Sequence, residues 1–159
     1  MRVEFINPFS EAAFNILKEV GCSNVKRGQI SLKPTTVSIM GVAVLVGLAG
    51  DVEGRVLIDM NRATALHVAS TMNGENFPEF DEMAKSTIQE LANMITGQAV
   101  TRLHDLGFKF DLTPPAIFTG ENMVVSSPPF SNMEALIVPM ELGTDLRIEI
   151  NVIIREKVK

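Results

Sequence analysis

Apolar and polar positions along this chain change period several times, and each change marks an element. Phe9, Ala13, Ile16, Leu17 and Val20 recur at helical spacing after Asn7-Pro8, and Gly21 follows them. A helix opening at Pro8 and ending before Gly21 is predicted. Gly28 to Thr36 is polar and turn-rich, with QISLK as a short strand. Val37 to Leu48 is long and β-branched. The turn GDVEG follows it, and RVLID, from Arg55 to Asp59, answers as the second arm of an antiparallel hairpin. Asp51 and Glu53 fall in that turn and read as solvated turn residues.

Asn61 is placed to cap a helix running to about Met72, closed by Asn73-Gly74. Ala65, Leu66, Ala69 and Met72 are its predicted buried face, and His67 points away from them. Phe77-Pro78 precedes the longest helical pattern, which starts near Asp81 or Glu82 and runs to Asp105, with Gly107 beyond. After Gly107 the period shortens. Phe108 and Phe110 alternate, and TPP breaks the strand. GENMVVSSPPF reads as a strand with a turn at each end. Met133 to Glu141 and Leu146 to Ile154 alternate as two antiparallel strands joined by LGTD. This order predicts an α+β fold, an antiparallel β-sheet with helices packed on a face. No linker divides the chain, so residues 1–159 are expected to form one domain.

The long helix carries two stripes. At roughly 100° per residue, Ser86, Glu90, Asn93 and Gly97 lie within about 60° of one another. Ala84, Ile88, Leu91, Ala92, Ile95 and Ala99 fill the opposite side. Gly97 costs about 1 kcal/mol of helix propensity against alanine. A bare glycine in line with an acid and an amide points to close approach by something else. The local pattern alone fits a solvated helix that carries these residues at least as well. His104 falls on the same stripe, about 16 Å from Asn93 along the axis, too far to share chemistry with it.

Composition narrows the classes of function. Net charge is −5 and the pI about 5.0, which argues against a nucleic-acid partner. Cys22 is the one cysteine, so the chain makes no internal disulfide and no cysteine metal cluster, and a reduced cytoplasmic setting fits. His67 and His104 show no metal-ligand spacing. Met1 is followed by Arg2, Val3 and Glu4 with no apolar signal region. The most hydrophobic run, Val37 to Gly50, is short for a membrane span and is interrupted by glycines, so no membrane insertion is expected. The short basic end REKVK is the one clustered charge. Nine methionines suggest adaptable packing or a soft contact surface.

No Ser-His-Asp or Cys-His arrangement is readable, and neither GxGxxG nor GxxxxGK[ST] occurs. Glu90 and Asn93 remain. A carboxylate can hold a partner's cation, and an amide that both donates and accepts can orient a water without deprotonating it. Such a pair becomes an active site if the substrate brings its own metal, lysine and acyl phosphate.

These residues resemble the CheC/CheX/FliY family of response-regulator phosphatases. The family motif is Asp or Ser, three residues, Glu, two residues, Asn, then twenty-one residues and Pro. Ser86, Glu90, Asn93 and Pro115 satisfy every spacing. GDVEGRVLIDMNRATALHVASTMNG and FDLTPPAIFTG are similar to the family's hairpin with its following helix and to its loop after the active helix. The likeness covers roughly Asn7 to Ile150. One motif and no room for a rotor domain make the chain resemble CheX rather than CheC or FliY.

The resemblance implies a phosphatase that hydrolyses the aspartyl phosphate of a CheY-like receiver, ending a chemotaxis signal. It implies Asn93 and Glu90 as the catalytic pair, with Ser86, Gly97 and Pro115 shaping the site or the docking. It implies no cofactor bound by this chain, Mg²⁺ carried by the partner receiver domain, and a homodimer joined through strand edges. The alternative of a different class is a non-catalytic dimeric module that binds a receiver domain or a flagellar motor protein.

Overall fold

The computed structural model describes residues 3–157; Met1, Arg2, Val158 and Lys159, including the last two residues of the basic REKVK end, lie outside the described residues. The chain runs through α1 (Val3–Glu19), β1 (Lys26–Arg27), β2 (Ser31–Pro34), β3 (Val37–Ser38), β4 (Val42–Gly50) and β5 (Val52–Met60). Then come α2 (Arg62–Asn73), α3 (Glu82–Asp105), β6 (Phe110–Leu112), β7 (Ala116–Thr119) and β8 (Val124–Val125). A 3-10 turn at Pro128–Phe130 leads into β9 (Glu134–Gly143) and β10 (Leu146–Glu156).

Five strands sit side by side in the order β1-β9-β10-β5-β4, with β6 beyond β4. β2 continues along the same edge of β9 that β1 occupies, and β7 continues along the edge of β4 beside β6. All pairings are antiparallel. The β4–β5 hairpin closes at Gly50-Asp51, so its second arm begins at Val52 rather than at Arg55. Gly54 holds φ at 154°, and a Cβ there would run into the Ile153 carbonyl of β10, so this position of β5 accepts only glycine.

Period two gives β5 and β10 two working faces. Val56, Ile58, Ile150, Val152 and Met140 join Phe9, Leu17, Ile88, Leu91 and Ile95 in one core under the helices. On the other face Ala43 and Leu57 pack with Ile39, and Ala135, Ile137 and Ile153 form a second small cluster. β3 and β8 pair as a separate two-stranded ribbon whose residues cover that face.

Several expected boundaries move, each for a physical reason. α1 starts by Val3, five residues before Pro8, and keeps the proline inside. An interior proline costs about 3 kcal/mol. Burying Phe5 and Ile6, at about 1.5–3 kcal/mol each, offsets it. The expected single strand from Val37 to Leu48 breaks at Ile39 to Gly41, where Gly41 takes φ 140° and its carbonyl accepts the Gly120 N–H at 3.0 Å. TPP interrupts the edge for three residues only, so β7 follows it, and the strand expected in GENMVVSSPPF shortens to β8. α2 is capped by Asn61, whose side chain accepts the Thr64 N–H at 2.8 Å, and Gly74 ends it at φ 65°. Its buried face is Thr64, Ala65, Val68 and Ala69, while Leu66 and Met72 pack half-buried at the rim.

Candidate functional site

α3 begins where the sequence places it. Asp81 accepts the Ala84 N–H at 2.9 Å, which satisfies one of the orphan donors of the first turn. The helix packs against α1 and α2 and touches β4 and β7. Ala84, Ile88, Leu91, Ala92, Ile95, Ala99 and Leu103 are buried. Ser86, Glu90, Asn93 and Gly97 are all exposed. The two stripes are therefore real, and the polar one faces out of the molecule. Arg102 pairs with Glu11 of α1, so the far end of the helix is anchored by charge as well as by packing.

Gly97 is the informative member. A Cβ built there meets nothing within 4 Å. Nothing in the chain itself requires glycine at this helix position, yet the propensity cost is carried. An ordinary solvated face would hold alanine or a longer polar residue.

Pro115 reaches the same neighbourhood from the other end of the sequence. It lies in the link between β6 and β7, half-buried, and its carbonyl accepts Gln89 Nε2 at 3.4 Å. The link is held on its other side by Thr113, whose Oγ1 accepts the Gly47 N–H at 2.7 Å and whose N–H donates to the Gly47 carbonyl at 3.0 Å. Four of the five expected residues share the α3 face, and the fifth is tied to the residue next to Glu90. Gln89 has no signal in the sequence, because its partner is 26 residues away and no spacing reports that contact.

The other candidates fall elsewhere. His104 places Nε2 3.3 Å from the Phe110 carbonyl and its ring edge-on to Phe110, so its own chain occupies it. His67 is exposed on α2. Cys22 is buried, and burial pushes its thiol up. A cavity of about 510 Å³ lies past the end of α3, lined by His104, Gly50 and Gly107 to Asp111 among others, and does not include Glu90 or Asn93. Two strongly shifted groups sit on the sheet face away from the helices. Burial raises Asp59 to about 6, and burial lowers Arg55 to about 10. Arg55 donates to Ser127 Oγ, Asn151 Oδ1 and the Thr35 carbonyl at 2.7–2.9 Å, pinning three segments together. Among the described residues no group of three or more His, Cys, Asp or Glu is placed to hold a metal ion. No described helix is long and apolar enough to cross a membrane.

An antiparallel sheet with its helices packed on one face is the fold of the CheC-like and CheX-like proteins. A CheC-like superfamily protein from Shewanella sp. PV-4 superposes with a TM-score of 0.85 at 29% identity, over 98% of this chain and 99% of that one. The CheX of the CheX–CheY–BeF3–Mg²⁺ complex from Borrelia burgdorferi gives 0.81 at 45% identity, over 98% of this chain and 100% of that one. The curated CheY-P phosphatase CheX of Thermotoga maritima is 30% identical over 132 residues, 80% of this chain and 83% of that protein. A family model described as chemotaxis phosphatase CheX matches residues 42–141. This chain belongs to the CheX family of chemotaxis phosphatases.

Proposed function

We propose that this protein hydrolyses the aspartyl phosphate of a CheY-like receiver domain by laying the exposed face of α3 into the receiver's active site. The observation that carries this reading is the exposure of Glu90 and Asn93 one turn apart on α3, beside a glycine that the fold does not need. The names of relatives support the partner: one is a CheY-P phosphatase, and another is found in complex with CheY.

The chemistry needs little from this chain beyond position. Water attacks phosphorus, the bond between phosphorus and the aspartyl oxygen breaks, and the carboxylate leaves as inorganic phosphate is released. Asn93 accepts from and donates to that water and holds it in line with the leaving oxygen. Glu90 pairs with a lysine of the receiver and fixes the helix in the site. The receiver brings the Mg²⁺ that stabilises charge on the phosphoryl oxygens. Most of the rate gain is then orientation. Gly97 lets the receiver's backbone come close, Pro115 shapes the wall of the site, and Ser86 borders it one turn before Glu90.

Phosphate release from receiver domains charged with acetyl phosphate, with and without this protein, tests the reading. Several-fold faster release at substoichiometric protein is expected. Binding without acceleration would make the protein a non-catalytic receiver module. No binding and no acceleration across the receivers of its genome would overturn the reading.

A further inference from the structure

Glu90 and Asn93 alone make a small footprint. A specific protein contact commonly buries about 800 Å² on each partner, so the docking face extends past this pair and past the Pro115 wall, and α3 offers ground in two directions. Toward the C-terminus it offers Gly97, Thr101 and a His104 already engaged with Phe110. Toward the N-terminus it offers Met83, which is 57% exposed.

Met83 stands about 20° from Glu90 around the helix and about 10 Å before it along the axis. It precedes Ser86 and Thr87 by one turn, on the stripe that faces outward. The ground beside it is fixed. Asn73, at the end of α2, donates through Nδ2 to Thr87 Oγ1 and to the Ala69 carbonyl, both at 2.8 Å. Thr87 Oγ1 in turn donates to the Met83 carbonyl at 3.0 Å. The end of α2 and the first turns of α3 therefore form one rigid shelf, continuous with the Glu90–Asn93 face, and Met83 stands on it. A thioether side chain adapts its shape to an apolar neighbour, and methionine is enriched in interface cores.

We propose that Met83 is the apolar anchor of receiver docking: it packs on an apolar patch of the phosphorylated receiver beside the phosphorylation site and sets affinity without touching the reacting atoms. This inference rests on the receiver reading above. It assigns Met83 to recognition and leaves the in-line water to Asn93.

The test is steady-state dephosphorylation of an acetyl-phosphate-charged receiver by the full chain, with binding to the same receiver in its beryllofluoride form. Met83→Ala is expected to raise KM about fivefold or more and weaken binding equally, with kcat nearly unchanged. Met83→Glu is expected to do more. Leu106→Ala, at a residue 55% exposed past the far end of α3, is the control and should leave KM as it is. Wild-type KM and wild-type binding in Met83→Glu would overturn the inference while leaving the phosphatase reading intact. A fall in kcat at constant KM would also overturn it. A change of molecular mass in light scattering would assign Met83 to contact with a second copy instead. A wild-type protein that neither binds nor dephosphorylates any receiver would end the phosphatase reading, and this inference with it.

Discussion

Asn93 and Glu90 stand on one turn of helix but are asked for different work, and substitution should separate them. In the proposed mechanism Asn93→Ala removes the amide that orients water, so turnover should fall steeply while binding to a beryllofluoride receiver stays near wild type. Glu90→Ala removes the lysine contact proposed for the docked complex, so binding should weaken together with turnover. Both are exposed, and each change should move stability by less than about 0.5 kcal/mol. Full activity in Asn93→Ala would refute the water-orienting role. Asp59 poses the opposite problem, being 4% exposed. Burial raises its pKa to about 6 against the Met40 N–H bond that favours its charge, and Glu149, opposite it on β10, raises it further while Lys33 lowers it. An unfolded aspartate titrates near 3.9. Between about pH 4 and 6 the folded chain holds a proton that the unfolded chain has released, so this group makes stability fall as pH rises through that window. Asp59→Asn keeps an acceptor for Met40. Urea unfolding should find it more stable than wild type at pH 7.5, by an amount of order 1–3 kcal/mol, with the difference vanishing near pH 4. A constant offset at both pH values would show that packing, not charge, governs the site.

At the scale of elements, the proposed docking sets stability against function in α3 at Gly97. Because a Cβ there meets nothing, Gly97→Ala should stabilise the protein by up to about 1 kcal/mol. A long side chain, as in Gly97→Gln, should keep that gain but hold the receiver off the helix, raising KM. Thermal unfolding and receiver kinetics on the same two variants decide it. A Gly97→Gln enzyme with wild-type KM would remove close approach as the reason for glycine. Among these elements the sequence reports helices best where a cap and a clean stripe agree, as at Asp81 and Asn61. It misplaces the start of α1, because Pro8 suggests a beginning while the burial of Phe5 and Ile6 outweighs it. It misses β7, because TPP ends one strand and starts another along the same edge of β4.

At the scale of the whole molecule, the sheet edges govern assembly. The apolar stretch around Ile137 offers no edge, because Ile137 is buried in β9 between β2 and β10. Among the described residues the unpaired edges are the outer sides of β1 and β2 and of β6 and β7. Ile30 and Leu32 lie exposed at the first, and Val124 on the ribbon. Unpaired edges with exposed apolar side chains invite pairing with another chain. We expect a homodimer joined through these edges that leaves both α3 faces open. Light scattering should give about twice 17.4 kDa at micromolar concentration. A monomer mass would sink the expectation, and a dimer that buries Glu90 would contradict the docking mechanism.

The starts of α2 and α3, the two stripes of α3 and the motif from Ser86 to Asn93 were determined by the sequence alone. Each depends on residues a few positions apart, where helical geometry is fixed by the backbone. Tertiary structure decided what lies between distant segments. It brought Pro115 to Gln89, covered the second face of the sheet with the β3–β8 ribbon, and buried Asp59 and Arg55 against the segments that flank the ribbon. It also left Met83 bare on the outward stripe of α3. Local period says which way a side chain leaves its own element; only packing says whether anything meets it there.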